Sequence, residues 1–266
     1  RWPDQPAVSL CGCFSGYAIA NEKTISDMEC GEGFDRATLS LLGKQQELLK
    51  ALKATGKPLV VVYIEGRPLD KNWVSENADA VLTAYYPGQE GGFAIADVLF
   101  GDFNPAGRLP FSVPRSVGQI PLYYNKKAPQ SHDYVEMSAS PLYPFGYGLS
   151  YTSFDYSDLH LSVLTPRSFE VSFKVRNTGK YDGEEVAQLY LRDEYASVVQ
   201  PLKQLKHFAR FYLKRGEERE VKFILSEEDF SLVDRNLKKI VEPGTFQIMI
   251  GAASDDIRLQ AKVEIK

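Results

Sequence analysis

Leu59-Val60-Val61-Val62-Tyr63-Ile64 is the stretch from which the fold of the first half follows. A continuous, largely β-branched apolar run of this length reads as a strand buried on both faces. Gly56 and Pro58 stand just before it and stop a helix over residues 39–54, where Leu41, Leu42, Leu48, Leu49 and Leu52 fall close to one face. Downstream, residues 71–77 read as a short helix, 80–84 as a second strand, 92–100 as a further helix and 109–113 as a third strand. Alternation at this spacing predicts a mostly parallel sheet covered by helices. Residues 7–13 and 16–20 are apolar enough for strands, but their order in the sheet is not fixed by the pattern. A three-stranded parallel sheet is small for an independent α/β domain, so a partial domain is expected over residues 1–117.

Beyond about Tyr151 the rhythm changes. Phe169, Val171, Phe173 and Val175 alternate with Glu170, Ser172, Lys174 and Arg176, the period-2 signature of a half-buried strand. Asn177-Thr178-Gly179 supplies a turn, and residues 186–191, 219–225, 245–250 and 257–265 repeat the pattern. Several short strands with turns between them predict an antiparallel β-sandwich over residues 151–266. Between the halves, residues 118–150 form a Pro-, Tyr- and Gly-rich connecting segment that is long for a simple loop and is expected to pack against something.

The 266 residues are 44% apolar and 25% charged, with 20 Gly and 15 Pro, which excludes disorder or collagen-like character for the whole chain. A net charge of −4 gives no footprint for nucleic acid or an anionic membrane. The apolar run at 59–64 is far too short to span a bilayer. The three cysteines, Cys11, Cys13 and Cys30, make neither a disulfide framework nor a good zinc site, so no metal or cofactor is expected. Arg1 in place of an initiator Met, with no signal-peptide profile, reads as a fragment or processed product.

The strongest candidate for chemistry is Glu29-Cys30-Gly31-Glu32-Gly33-Phe34-Asp35-Arg36. Glu32 lies between two glycines, which permits a sharp turn and close approach of a substrate. Crowded ionisable groups can push a carboxyl pKa upward, as a general acid requires. The plainer alternative is a polar loop whose acids cap the following helix. Ala84-Tyr85-Tyr86-Pro87-Gly88-Gln89-Glu90-Gly91-Gly92 and Glu65-Gly66-Arg67-Pro68 each follow a strand, where open α/β sheets bind ligands. No Gly-Lys-Ser/Thr follows the first, which argues against a nucleotide loop and for turn chemistry. His132, His160 and His207 are isolated, the last two read as strand residues, and no Gly-x-Ser-x-Gly elbow exists. Tyr123, Tyr124, Tyr134, Tyr143 and Tyr147 concentrate around the connecting segment, as packing between domains or as faces for sugar rings.

Gly31-Glu-Gly-Phe-Asp-Arg36, the 59–69 run with its Gly-Arg-Pro, Tyr86-Pro-Gly-Gln-Glu-Gly-Gly92, Gly101-Asp-Phe-Asn-Pro-Ala-Gly-Arg-Leu-Pro110 and Pro144-Phe-Gly-Tyr-Gly-Leu-Ser-Tyr-Thr152 occur in order, followed by Val175-Arg-Asn-Thr-Gly179 in the sandwich. This ordered set resembles the C-terminal part of a family 3 glycoside hydrolase of the β-glucosidase type, over roughly residues 26–266. The resemblance implies a partial α/β sandwich domain and a fibronectin type III-like domain, with an N-terminal barrel missing from these residues. It implies retaining hydrolysis of β-linked glucosides or oligosaccharides, with an aspartate nucleophile on the barrel and an acid/base glutamate that maps onto Glu32. Glu29 and Asp35 are the fallbacks, and Phe34 is a candidate for shaping the aglycone side. A periplasmic or secreted parent is implied as well. A parent β-xylosidase and a non-catalytic accessory or sugar-binding fragment stay open as alternatives, and the chain alone is expected to be inactive or weakly active.

Overall fold

The structure, a computed structural model, describes residues 36–127 and 132–266. These fall into two compact units, one running to Thr83 and including Ser116–Gly118, the other comprising Ala84–Arg115 and Gln119–Lys266.

In the first unit, helix α1 (Gln45–Ala54) is followed by β1 (Val60–Tyr63), α2 (Asn72–Asn77) and β2 (Ala80–Thr83). The helix begins later than its leucine spacing predicts, because Gly43 takes φ +49 just ahead of it. It ends where the Thr55 hydroxyl donates to Leu52 O at 2.7 Å and Gly56 turns left-handed at φ +72. β1 and β2 pair in parallel, Val60 opposite Ala80 through to Tyr63 opposite Thr83. The Asp79 carboxylate accepts from Leu59 N at 2.7 Å and from Lys53 Nζ at 3.2 Å, tying the starts of both strands to the end of α1. Leu59, Val61, Tyr63 and Val74 form the core, and Leu41, Leu49, Leu69 and Trp73 pack against it.

Two expectations are corrected here. The 59–64 strand is buried on one face only, since Val60 is 49% and Ile64 63% exposed. Of the expected helical leucine stripe, Leu49 packs inward while Leu48 and Leu52 are exposed. A four-residue parallel pair offers one face to α2, and that is the face the core uses.

In the second unit, α3 (Gly91–Phe100) ends at Gly101 with φ +88. The expected strand at 109–113 does not form. Leu109 N donates to Tyr147 O, Gly146 N to Leu109 O, and Val113 N to Tyr143 O, each at 2.8 Å. The pairing stays at a single bridge between Val113 and Tyr143, because Pro110 and Pro144 have no N–H to continue a ladder.

The remainder is the predicted sandwich. One antiparallel sheet has the order β3 (Phe154–Thr165), β4 (Ser168–Asn177), β7 (Glu218–Leu225); the other runs β11 (Ile257–Ile265), β10 (Gly244–Gly251), β5 (Gly183–Asp193), β6 (Gln204–Leu213). A small pair, β8 (Leu232–Val233) with β9 (Lys239–Ile240), lies outside both. Phe169, Val171, Phe173 and Val175 of β4 point inward against Leu189 and Leu191 of β5 and Ile248 and Ile250 of β10. Each such side chain contributes about 1.5–3 kcal/mol by leaving water. His160 and His207 lie in strands β3 and β6 as read.

The connecting segment packs on the outer side of the four-stranded sheet. Tyr124 stacks on Phe145 with centroids 4.1 Å apart and meets Tyr190 edge-on at 6.1 Å. Beside them the Gln188 amide, itself buried, donates to Gly146 O at 3.2 Å and to Ala252 O at 2.6 Å, and Tyr190 Oη donates to its oxygen. Burial raises the Tyr190 hydroxyl pKa well above its ordinary value, so it remains a donor. On the inward face of β5, by contrast, Glu185 forms a buried ion pair with Arg108 at 3.1 Å and accepts from Tyr156 Oη at 3.0 Å. Among the described residues no helix is long and apolar enough to cross a membrane.

Candidate active site

Glu29, Glu32, Phe34 and Asp35, the candidates for chemistry, lie outside the described residues, as do the three cysteines. What the structure does describe is the chain as it leaves that stretch. The Arg36 guanidinium donates to Ser40 O and, at 3.3 Å, to Thr38 Oγ1, so the backbone curls immediately after the motif. Leu39 O then accepts from Asp70 N at 2.7 Å. Asp70 is held in turn, its carboxylate accepting from the backbone and side chain of Asn72 at 2.9 and 2.8 Å. Leu39 is thereby fastened at the entrance to α2, within the turn that follows the carboxyl end of β1.

That turn is braced by a pair the sequence reading did not single out. Glu65 and Lys71 are 4% and 2% exposed, with Lys71 Nζ 2.6 and 2.7 Å from the two carboxylate oxygens. Glu65 also accepts from Leu69 N and from Thr83 Oγ1, both at 3.2 Å. The Lys71 ammonium sits 4.2 Å from the centroid of the Tyr63 ring, a cation–π contact. Burial pushes the Lys71 pKa down, opposed by Glu65 and Asp70. Four donor contacts leave Glu65 little capacity for exchange with a substrate. Its chemistry is structural: it locks the Gly66-Arg67-Pro68 turn onto the ends of both strands. The signal in the sequence was a carboxylate directly after an apolar strand with a lysine six residues on, a spacing that periodicity does not weight.

In the second unit the Ala84–Gly92 loop is explained by its own geometry. Tyr85 takes φ +52 and Gly88 φ +75, and a Cβ on Gly91 would lie 2.5 Å from Pro87 Cγ. The glycines serve a tight turn into α3, in keeping with turn chemistry. Tyr85 packs edge-on against Phe111 at 6.0 Å, and the Tyr86 side chain is turned out to solvent. Among the described residues, no group of three or more His, Cys, Asp or Glu is arranged to hold a metal ion.

Comparison with known proteins gives a consistent result. Residues 16–151 match the glycosyl hydrolase family 3 C-terminal domain, and residues 185–254 a fibronectin type III-like domain. A β-xylosidase of Formosa agariphila is 46% identical over 242 residues, covering 88% of this chain and 34% of the relative. A periplasmic β-glucosidase of Salmonella typhimurium is 45% identical over 241 residues, covering 85% and 32%. Among solved structures, a β-glucosidase from Erythrobacter marinus superposes with a TM-score of 0.83 at 43% identity, over 90% of this chain and 32% of that one. A β-glucosidase from Listeria innocua gives a TM-score of 0.83 at 38% identity, over 88% and 34%. The chain spans about a third of the length of the relatives it matches.

Proposed function

The chain belongs to glycosyl hydrolase family 3, and from that premise we propose that it is the C-terminal portion of a retaining β-glucosidase, to which it contributes the acid/base glutamate Glu32. The observation that carries the reading is the fastening of Leu39 to Asp70 beside the Glu65–Lys71 brace. It fixes Leu39, seven residues beyond Glu32, in the turn after the carboxyl end of a parallel strand, where open α/β sheets bind ligands. Residues 1–117 form the partial α/β domain, 118–150 the strap and 151–266 the fibronectin type III-like domain of this proposal.

A retaining glycosidase sets two carboxyls about 5–5.5 Å apart. The nucleophile, an aspartate on a barrel domain, attacks the anomeric carbon while Glu32 gives its proton to the departing glycosidic oxygen. A covalent glycosyl intermediate and a free aglycone result. Glu32, now a carboxylate, takes a proton from water as that water attacks the same carbon and releases the aspartate. Glu29 and Asp35 are the alternatives for this role within the same loop. Because the nucleophile in this reading belongs to the barrel domain, the 266-residue chain by itself is expected to be inactive or weakly active.

A parent β-xylosidase is the second reading, favoured by relatives of both kinds at nearly equal identity. The test uses a parent polypeptide that includes the barrel. On an aryl β-glucoside with a good leaving group, Glu32→Ala should lose turnover and regain it with azide, which attacks the glycosyl intermediate in place of activated water and yields a β-glycosyl azide. Absence of rescue, in a folded variant, contradicts the assignment and passes the role to Glu29 or Asp35. Relative rates on aryl β-glucoside and aryl β-xyloside decide between the two sugars.

A further inference from the structure

In the sandwich, strand β6 breaks the rule of apolar inside and polar outside. Its inward residues Phe211 and Leu213 belong to the core, yet its outward residues are Phe208, Arg210 and Tyr212, with Phe208 67% and Tyr212 50% exposed. β6 is an edge strand of the four-stranded sheet, where charged residues are the usual protection against pairing with other chains. Two exposed rings on such an edge are a liability unless they are used.

The surroundings narrow the use. Phe208 lies opposite Gln188, Arg210 opposite Val186 and Tyr212 opposite Glu184 across the β5–β6 ladder. Gln188 is covered by the connecting segment through its bond to Gly146 O, so the covered part of the sheet ends beside Phe208 and an open shelf begins. The Arg210 guanidinium reaches diagonally to Glu184, with its Nε 3.0 Å from the carboxylate. Tyr212 Oη donates to Asp182 Oδ2 at 2.8 Å, and the other Asp182 oxygen accepts from Arg215 N at 2.8 Å. The Arg210 and Glu184 charges cancel within the face, and both polar groups beside the rings are held in place. An anionic polymer would need uncompensated cations, and a large protein interface would need a continuous apolar centre. A neutral ligand with apolar faces and hydroxyl edges fits two spaced rings flanked by fixed donors and acceptors. Phe208 and Tyr212 are four residues apart on one strand face, about 13 Å at the strand rise of about 3.3 Å per residue. That separation suits an oligosaccharide rather than a single sugar.

We propose that the outward face of β6, with Phe208 and Tyr212 as stacking platforms and Arg210, Glu184 and Asp182 as hydrogen-bonding flanks, is a binding site for β-linked oligosaccharides. The choice of β-linkage rests on the proposed function; the site itself does not depend on Glu32. It holds a glycan chain on the β-sandwich.

The purified 266-residue chain is titrated with cellotetraose, xylotetraose and, as the α-linked control, maltotetraose, by calorimetry and by amide chemical-shift mapping. The expected result is binding of a β-linked tetraose, with shifts centred on Phe208–Tyr212 and on Glu184–Val186. Phe208→Ala and Tyr212→Ala should each weaken it about tenfold, and Leu237→Ala, a change at another exposed apolar residue, should leave it unchanged. The mapping needs no variant, so a misfolded substitution does not blunt the test. No binding, shifts elsewhere, or maltotetraose bound equally well overturns the proposal. Concentration-dependent shifts at this face without sugar also overturn it, in favour of a second copy of the chain. Loss of this binding would leave the Glu32 assignment standing, and failure of azide rescue would leave this site standing.

Discussion

Replacing Lys71 by methionine keeps most of the side-chain stem and removes the ammonium from beneath Glu65. Both residues are almost fully enclosed, and the two shortest contacts to the carboxylate come from Lys71, at 2.6 and 2.7 Å. Leu69 N and Thr83 Oγ1, both at 3.2 Å, would remain as neutral donors to a buried negative charge. Leaving one partner of a buried pair uncompensated costs about 3–5 kcal/mol. An exposed pair such as Lys44–Glu47, at 3.7 Å with side chains 87% and 73% exposed, is worth at most about 0.5 kcal/mol. The double variant Glu65→Leu/Lys71→Met removes both charges and should recover most of the loss. Trp73 packs on the core of the first unit and is one of two tryptophans, so its fluorescence in a Trp2→Phe background follows urea unfolding of that unit. A loss below about 1 kcal/mol for Lys71→Met, or a double variant no more stable than the single one, would refute the brace.

Two further outcomes are expected. Gln188→Ala withdraws the amide from Gly146 O and Ala252 O and should lower stability by about 1–3 kcal/mol in urea; a change within about 0.5 kcal/mol would mean water replaces it freely. The carboxyls of Asp79, Asp182 and Asp234 are held below their ordinary values chiefly by the backbone N–H groups of Leu59, Arg215 and Lys238, and that of Glu242 chiefly by the Ser197 hydroxyl. A depressed carboxyl contributes stability that is present above its unfolded pKa and lost as pH falls through its folded one. The urea midpoint should therefore hold from about pH 5 to 7 and fall below about pH 4, less steeply in Asp79→Asn; a midpoint that is flat to about pH 2 would contradict the linkage.

The most legible strands are those whose two faces differ chemically. In β4, Phe169 to Val175 alternates with charged and polar residues because one side meets the core and the other meets water. β3 and β6 were read only at His160 and His207, and their full spans were missed for different reasons. In β3, Asp158 takes φ +53 and the register shifts between Ser157 and His160, so the side-chain phase slips within the strand. In β6 aromatic residues occupy both faces, which erases the alternation. The run at 109–113 read as a strand from its apolar content, yet Pro110 denies it a ladder. The Tyr-rich segment was legible as packing, although its target, Tyr190 and Gln188 on the sheet, was not. At the candidate site, local sequence exposed the glycine-flanked Glu32, whereas the Glu65–Lys71 brace needed tertiary contact between a strand end and a helix start to be recognised.

The role proposed for Glu32 in the first step is to protonate the leaving group. It is tested most directly by comparing Glu32→Gln with the unaltered parent polypeptide, barrel included, on cellobiose and on an aryl β-glucoside with a good leaving group. Only the poor leaving group needs the proton. Glycosylation should therefore slow by about 10²–10⁴-fold on cellobiose and far less on the activated glucoside. Equal losses on both substrates would contradict the acid role of Glu32.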